Sequence, residues 1–214
     1  MKTLHQTPSK RSSGGFSLIE LLIVIALIAL VTSLAGPAMQ GMLGANRITQ
    51  GGENIVSTLS LARQYAVSKN REVEVRFIIC APLDGGVSGS SDVVRAVQIV
   101  ERQDDGTWKP TTRPRILPSG VIGWGNASDS TVLAIPAVSA TSGDPVMGAL
   151  GRTYSYRPFR FKADGSTDLA QILPGKDNYC LTLIEEKRAG GSLPENYLAI
   201  VIQPRTGGVT VWRP

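Results

Sequence analysis

The run Leu21-Leu-Ile-Val-Ile-Ala-Leu-Ile-Ala-Leu-Val31, entered through Gly15-Phe16-Ser17-Leu18-Ile19-Glu20, constrains this chain more than any other stretch. It is apolar on every side of a helix rather than along one stripe. From Phe16 to Leu34 it counts about 19 residues, near the ~20 needed to cross a bilayer as a helix. Only Thr32 and Ser33 are polar between Leu21 and Ala35, and both hydroxyls can bond back to helix carbonyls. Glu20 is the anomaly. A charge at the centre of a membrane helix costs roughly 2.5–3.5 kcal/mol on insertion scales, so a carboxylate at the mouth of this one needs a partner.

The first fifteen residues hold Lys2, Lys10 and Arg11 and no acid. The formal charge of +5 on the 214-residue chain falls to +2 without these three cations. A case for nucleic-acid binding from overall charge weakens accordingly. Basic residues ahead of an apolar segment hold that end in the cytoplasm, which sends the C-terminal bulk across the membrane. In a bacterial cell that is the periplasm, where disulfides persist. Cys80 and Cys180, the only cysteines, can bridge there. Closing a loop of about 100 residues is worth roughly 4.7 kcal/mol on the chain-entropy model. Two separately buried thiols suit the same strand-like segments, and the sequence leaves both readings open.

Residues 15–31 resemble the N-terminus of type IV pilins and pseudopilins. That resemblance implies that residues 1–15 are a leader removed by a prepilin peptidase between Gly15 and Phe16, and that the new Phe16 amine is methylated. It implies too that Glu20 meets the Phe16 amine of a neighbouring subunit during filament assembly. A secretory signal peptide is the rival reading, with Ser33-Leu34-Ala35 as its cleavage site. It leaves Glu20 without a role and makes Gly15-Phe16 a coincidence. Past the anchor, 16–36, Gly36-Pro37 is expected to break the helix, since proline in a helix interior costs about 3 kcal/mol. In the pilin family a proline often sits at this point, where the helix can unwind on assembly; a plain hinge would use the same residues. Helical periodicity returns at Ile48, Ile55, Leu59, Ala62 and Ala66, so residues 37–70 are expected to continue as an amphipathic helix with Arg47, Glu53, Arg63 and Lys69 in water. A helix from Phe16 to about Asn70 would be roughly 80 Å long.

After Asn70 the period changes to that of strands. Val73–Ile79 alternates as in a half-buried sheet. Val93–Glu101, Thr107–Lys109, Arg115–Ile122 broken at Pro118, Thr153–Phe161, Tyr179–Glu185, Tyr197–Gln203 and Val209–Trp212 are further strands. Pro82–Ser91 is a loop, and 123–150 a long variable loop with one short strand at Thr131–Ile135. One helix followed by antiparallel strands gives an α+β fold, with the helix laid on a β-rich domain of residues 71–214. The order resembles the H-type minor pseudopilins of type II secretion and the T-type minor fimbrial pilins, the GspH/FimT-like group. Phe159-Arg-Phe-Lys-Ala-Asp-Gly165 and the closing Gly-Gly-Val-Thr-Val hairpin carry that likeness. Phe159 to Leu183 also resembles the cassette-encoded Verru_Chthon cassette protein D group.

No catalytic constellation is legible. The one histidine, His5, lies in the expected leader, so a processed chain has no Ser-His-Asp, Cys-His or His-zinc site. Asp164, Asp168 and Asp177 lack an EF-hand spacing and read as solvated turns. The expectation is a non-enzymatic subunit without cofactor or metal. Its partners would be other pilins or pseudopilins in a filament, the prepilin peptidase, and inner-membrane lipid around a single-pass anchor. The alternative is a minor pilin that binds DNA for uptake, for which the T-type resemblance points to basic residues near the C-terminus, here Arg205 and Arg213.

Overall fold

The computed structural model describes residues 16–82, 93–125, 127–140, 154–176 and 178–214, with the side chains of 34–40 left out. The expected leader, residues 83–92, Asn126, residues 141–153 and Asp177 lie outside the described residues. Two units emerge, one ending at Met42 and one spanning Leu43–Pro214. Helix α1 (Leu18–Lys69) contributes to both.

In the larger unit α1 is followed by ten strands: β1 (Val73–Ile79), β2 (Val94–Arg102), β3 (Trp108–Pro110), β4 (Arg115–Ile116), β5 (Val121–Gly123), β6 (Val138–Ser139), β7 (Ser155–Phe161), β8 (Tyr179–Glu185), β9 (Leu198–Ile202) and β10 (Val209–Trp212). A single turn of helix, α2 (Leu169–Ile172), precedes β8. The strands form one antiparallel sheet in the order β10-β9-β8-β5-β2-β1-β7-β6, and β3 and β4 also pair with β2.

Ile48, Ile55, Leu59, Ala62 and Ala66 are fully buried, and they meet Val73, Val75, Phe77, Phe159, Leu183 and Ile200 from the sheet in one core. Each buried aliphatic or aromatic side chain contributes roughly 1.5–3 kcal/mol, which makes this contact the main stabilising term. The helix sits close because glycines face the sheet. A Cβ on Gly52 would fall 2.9 Å from the Leu198 methyls, and one on Gly44 only 1.4 Å from Glu185 Oε1. The glycines that weaken the helix by propensity therefore let it dock. Asn70 ends it with φ of 50°, the left-handed cap conformation, and the Arg71 N–H closes back on the Ala66 carbonyl at 3.1 Å.

Four expectations need correction. Helix α1 continues through Pro37, where a break was expected; proline removes one i to i−4 bond, and a long helix absorbs that as a local defect. Every residue of β1 is buried, so this strand is not half-exposed. On its outer face Glu74 pairs with Arg76 at 2.7 Å and with Arg160 at 3.4 Å. Arg76 lies over the Tyr156 ring and Arg160 over the Trp108 ring, at 4.3 and 4.9 Å. The alternating charges that read as solvent-facing are neutralised under aromatic cover. Thr131–Ala134 is a 3₁₀ turn, not a strand. The Ser130 and Thr131 hydroxyls accept the N–H groups of Thr182 and Cys180 at 3.0 and 2.8 Å, so side chains bind β8 where a strand's backbone would.

The fourth concerns Cys80 and Cys180, which are not joined in a disulfide. Cys80 directly follows β1 and Cys180 lies in β8, and β2 and β5 separate those strands. Three strand spacings amount to ~14 Å, about twice the reach of a disulfide between Cα atoms. The Cys180 thiol instead donates to the Asp129 carbonyl at 3.3 Å.

Two measurements check this packing. Leu59→Ala should lower the unfolding free energy by about 2–5 kcal/mol in chemical denaturation, as for a large-to-small change in a closed core. Protein purified without reductant and then denatured should titrate both thiols; failure of either to react would restore the bridge.

Candidate functional site

The described chain opens at Phe16, which is 80% exposed. Ser17 precedes α1, and its hydroxyl accepts the Glu20 N–H at 3.2 Å. Serine at the cap with glutamate three residues on is the pairing that starts a helix, and an acid in the first turn complements the helix dipole. The sequence carried this signal at Ser17, and the expectation above gave that residue no role. Local structure thus fixes where Glu20 stands: in the first turn of the helix, exposed, with no cation paired to it among the described residues.

From Phe16 to Ser33 every described side chain is exposed, Leu18 at 87% and Leu21, Ile25 and Leu30 each above half. The Thr32 hydroxyl donates to the Ile28 and Ala29 carbonyls, and Ser33 to that of Leu30. Their polarity is spent inside the helix. An apolar surface this continuous marks contact with lipid or protein. Among the described residues no helix is long and apolar enough to cross a membrane; the described apolar run, Leu18 to Ser33, stops short of the ~20 residues a crossing needs.

Gly15 lies outside the described residues, so the structure places only Phe16 and Glu20 of the expected processing and assembly trio. Pro37 lies within α1. At the other end of the chain, Arg205 is exposed in the β9–β10 turn. Arg213 donates to Thr49 Oγ1 on α1 at 2.8 Å and to Asn196 Oδ1 at 3.0 Å. It ties the C-terminus to the helix instead of projecting beside Arg205. Asp164 closes its own turn by accepting the Ser166 hydroxyl and N–H, and these bonds hold it below the usual carboxylate range. Asp168 accepts the Arg160 N–H at 2.7 Å, and burial raises its pKa. Both carboxylates serve local turns.

Glu185 went unnoticed in the sequence because nothing in a strand pattern marks its neighbour across the fold. Its side chain is 5% exposed and stands within 3.1 Å of Lys187 Nζ and 3.4 Å of Arg188 Nε. Neither carboxylate oxygen makes a hydrogen bond, so the two contacts are electrostatic without good donor geometry. The carboxylate presses on α1 where Gly44 leaves room.

Residues 10–36 match the family described as "Prokaryotic N-terminal methylation motif". No curated protein matches the chain. Among solved structures, the type IV minor pilin FimU of Pseudomonas aeruginosa is similar at 13% identity, over 78% of this chain and 89% of that one, with a TM-score of 0.42. The minor pseudopilin EpsH from the type 2 secretion system of Vibrio cholerae is similar at 9% identity, over 78% and 98%, also with a TM-score of 0.42. The matched segment is the one that holds Phe16 and Glu20.

A thermodynamic cycle tests the Gly44 contact. Gly44→Ala should destabilise by about 1–3 kcal/mol through overpacking, although alanine is the better helix former by ~1 kcal/mol. In a Glu185→Ala background the same change should be neutral or stabilising, as read by denaturation of both pairs.

Proposed function

We propose that this chain is a minor pseudopilin of the GspH/FimT-like group, a structural subunit of a periplasmic filament in a type II secretion or type IV pilus-like system. The observation that carries the reading is Glu20: a lone exposed carboxylate on an all-apolar helix, one turn behind Gly15-Phe16. Cleavage after Gly15 by a prepilin peptidase creates an amine at Phe16, and methylation leaves it cationic. Before assembly the apolar helix is solvated by inner-membrane lipid, with the larger unit in the periplasm. On assembly that surface passes from lipid to neighbouring helices. A carboxylate and an amine meeting there attract far more strongly than in water, because the local dielectric is low. Glu20 then sets the axial register of one subunit on the next, and an unpaired Glu20 disfavours any other register.

DNA binding for uptake is the second reading. Arg205 and Arg213 are its residues. Arg213 is engaged with Thr49 and Asn196, so one of the two guanidinium groups is already occupied, which favours the filament reading.

Co-expression with a prepilin peptidase, followed by mass spectrometry of the N-terminus, should give a chain beginning at N-methylated Phe16. A mature chain beginning at Gly36 would sink the assignment in favour of a secretory signal. Glu20→Ala should leave that cleavage intact and reduce recovery of the subunit in sheared filament fractions by tenfold or so, the equivalent of ~1.4 kcal/mol. Normal incorporation of Glu20→Ala would remove the pairing role while leaving the processing assignment standing.

A further inference from the structure

Between the C-terminal half of α1 and the β9–β10 turn lies an open groove of about 750 Å³, lined by Ser60, Arg63, Gln64, Val67, Gly208 and Val209 among others. It leads onto β10, the terminal strand of the sheet, whose outer side pairs with no strand among the described residues. The Gln203 N–H donates to the Gly208 carbonyl at 2.9 Å, which makes Gly208 and Gln203 a hydrogen-bonded pair. Antiparallel alternation then directs the backbone groups of Thr210 and Trp212 inward to β9 and those of Val209 and Val211 outward. Val209 and Val211 face Ile202 and Ile200, both part of the core beneath α1. Their side chains therefore stand on the α1 side, and Val211 is 50% exposed.

Edge strands are ordinarily blunted by charge, proline or brevity. The opposite edge, β6, has only two residues. β10 is Val-Thr-Val-Trp, with no charge, no proline and high strand propensity, and no strand covers its outer edge among the described residues. The groove beside it has one charged lining residue, Arg63. Arg63 Nε donates to the Gly165 carbonyl at 3.3 Å, and no carboxylate pairs with this side chain among the described residues. Arg205 adds a second exposed cation on the turn.

We propose that β10 and this groove form a docking site for an extended segment of another protein that carries a carboxylate. The segment adds a strand to the sheet through the outward N–H and C=O groups of Val209 and Val211, the mode in which main-chain bonds supply affinity and alternate side chains supply specificity. Every second side chain of the guest faces α1. Apolar ones cover Val67 and Val211, and the carboxylate among them meets the Arg63 guanidinium in a charge-assisted contact. The inference concerns the larger unit alone and does not rest on the filament reading.

The test uses full-length protein in detergent micelles and the fluorescein-labelled peptide Thr-Val-Thr-Glu-Thr-Val-Thr, with a counterpart in which Lys replaces Glu. Fluorescence anisotropy should show saturable binding of the Glu peptide, roughly ten- to a hundredfold tighter than the Lys peptide, the worth of one charged hydrogen bond. Arg63→Gln should erase that preference and Arg63→Lys should keep most of it. Val211→Pro removes an outward N–H while sparing the inward ladder, and it should abolish binding of both peptides without shifting the thermal melt. Equal binding of the two peptides, no binding of either, or binding indifferent to Val211→Pro overturns the proposal. So does a dimer of the protein that Val211→Pro dissolves while no peptide binds.

Discussion

Burial of one helical stripe under one sheet face is the constraint on which the larger unit depends. Ile48, Ile55, Leu59, Ala62 and Ala66 recur at helical spacing and are fully buried, and the inner residues of the central strands converge on them. An antiparallel sheet with one apolar face has nowhere to hide it except under such a helix. Glycine at positions 44, 51 and 52 brings the helix axis close to the sheet, and packing at that distance offsets their poor helix propensity.

The remainder of α1 obeys the opposite logic. From Phe16 to Ser33 it makes no core of its own and leaves its apolar side chains exposed. Such a surface is tolerable only where water is absent, in lipid or among other helices. Glu20 is the exception that gives the segment direction. In water its charge is cheap; in either apolar setting it needs a cation. The two units therefore differ in kind: one carries a closed core, the other an exposed apolar surface among its described residues.

The outer face of the sheet shows how far a strand pattern can mislead. Glu74 and Arg76 alternate with Val73, Val75 and Phe77, which reads as one wet face. Instead Glu74 is shared by Arg76 and Arg160, and the rings of Tyr156 and Trp108 cover the two guanidinium groups. Those partners lie on β3 and β7, far away in sequence, so no local pattern announces them. The 3₁₀ turn at Thr131–Ala134 misleads for a related reason. Its β-branched residues favour a strand, but the Ser130 and Thr131 hydroxyls reach β8 first.

What the sequence by itself determined is whatever local period and local chemistry decide. The apolar run, the single acid at Glu20, the buried stripe of α1 and most strands belong here, because each depends on residues within a turn or two of one another. The tertiary structure decided what depends on strand order. It separated Cys80 from Cys180 by two intervening strands, engaged Arg213 with Thr49, set Glu185 against Gly44 and left β10 as an open edge beside Arg63. Each is a relation between residues distant along the chain, fixed only when the sheet assembles and the helix settles on it.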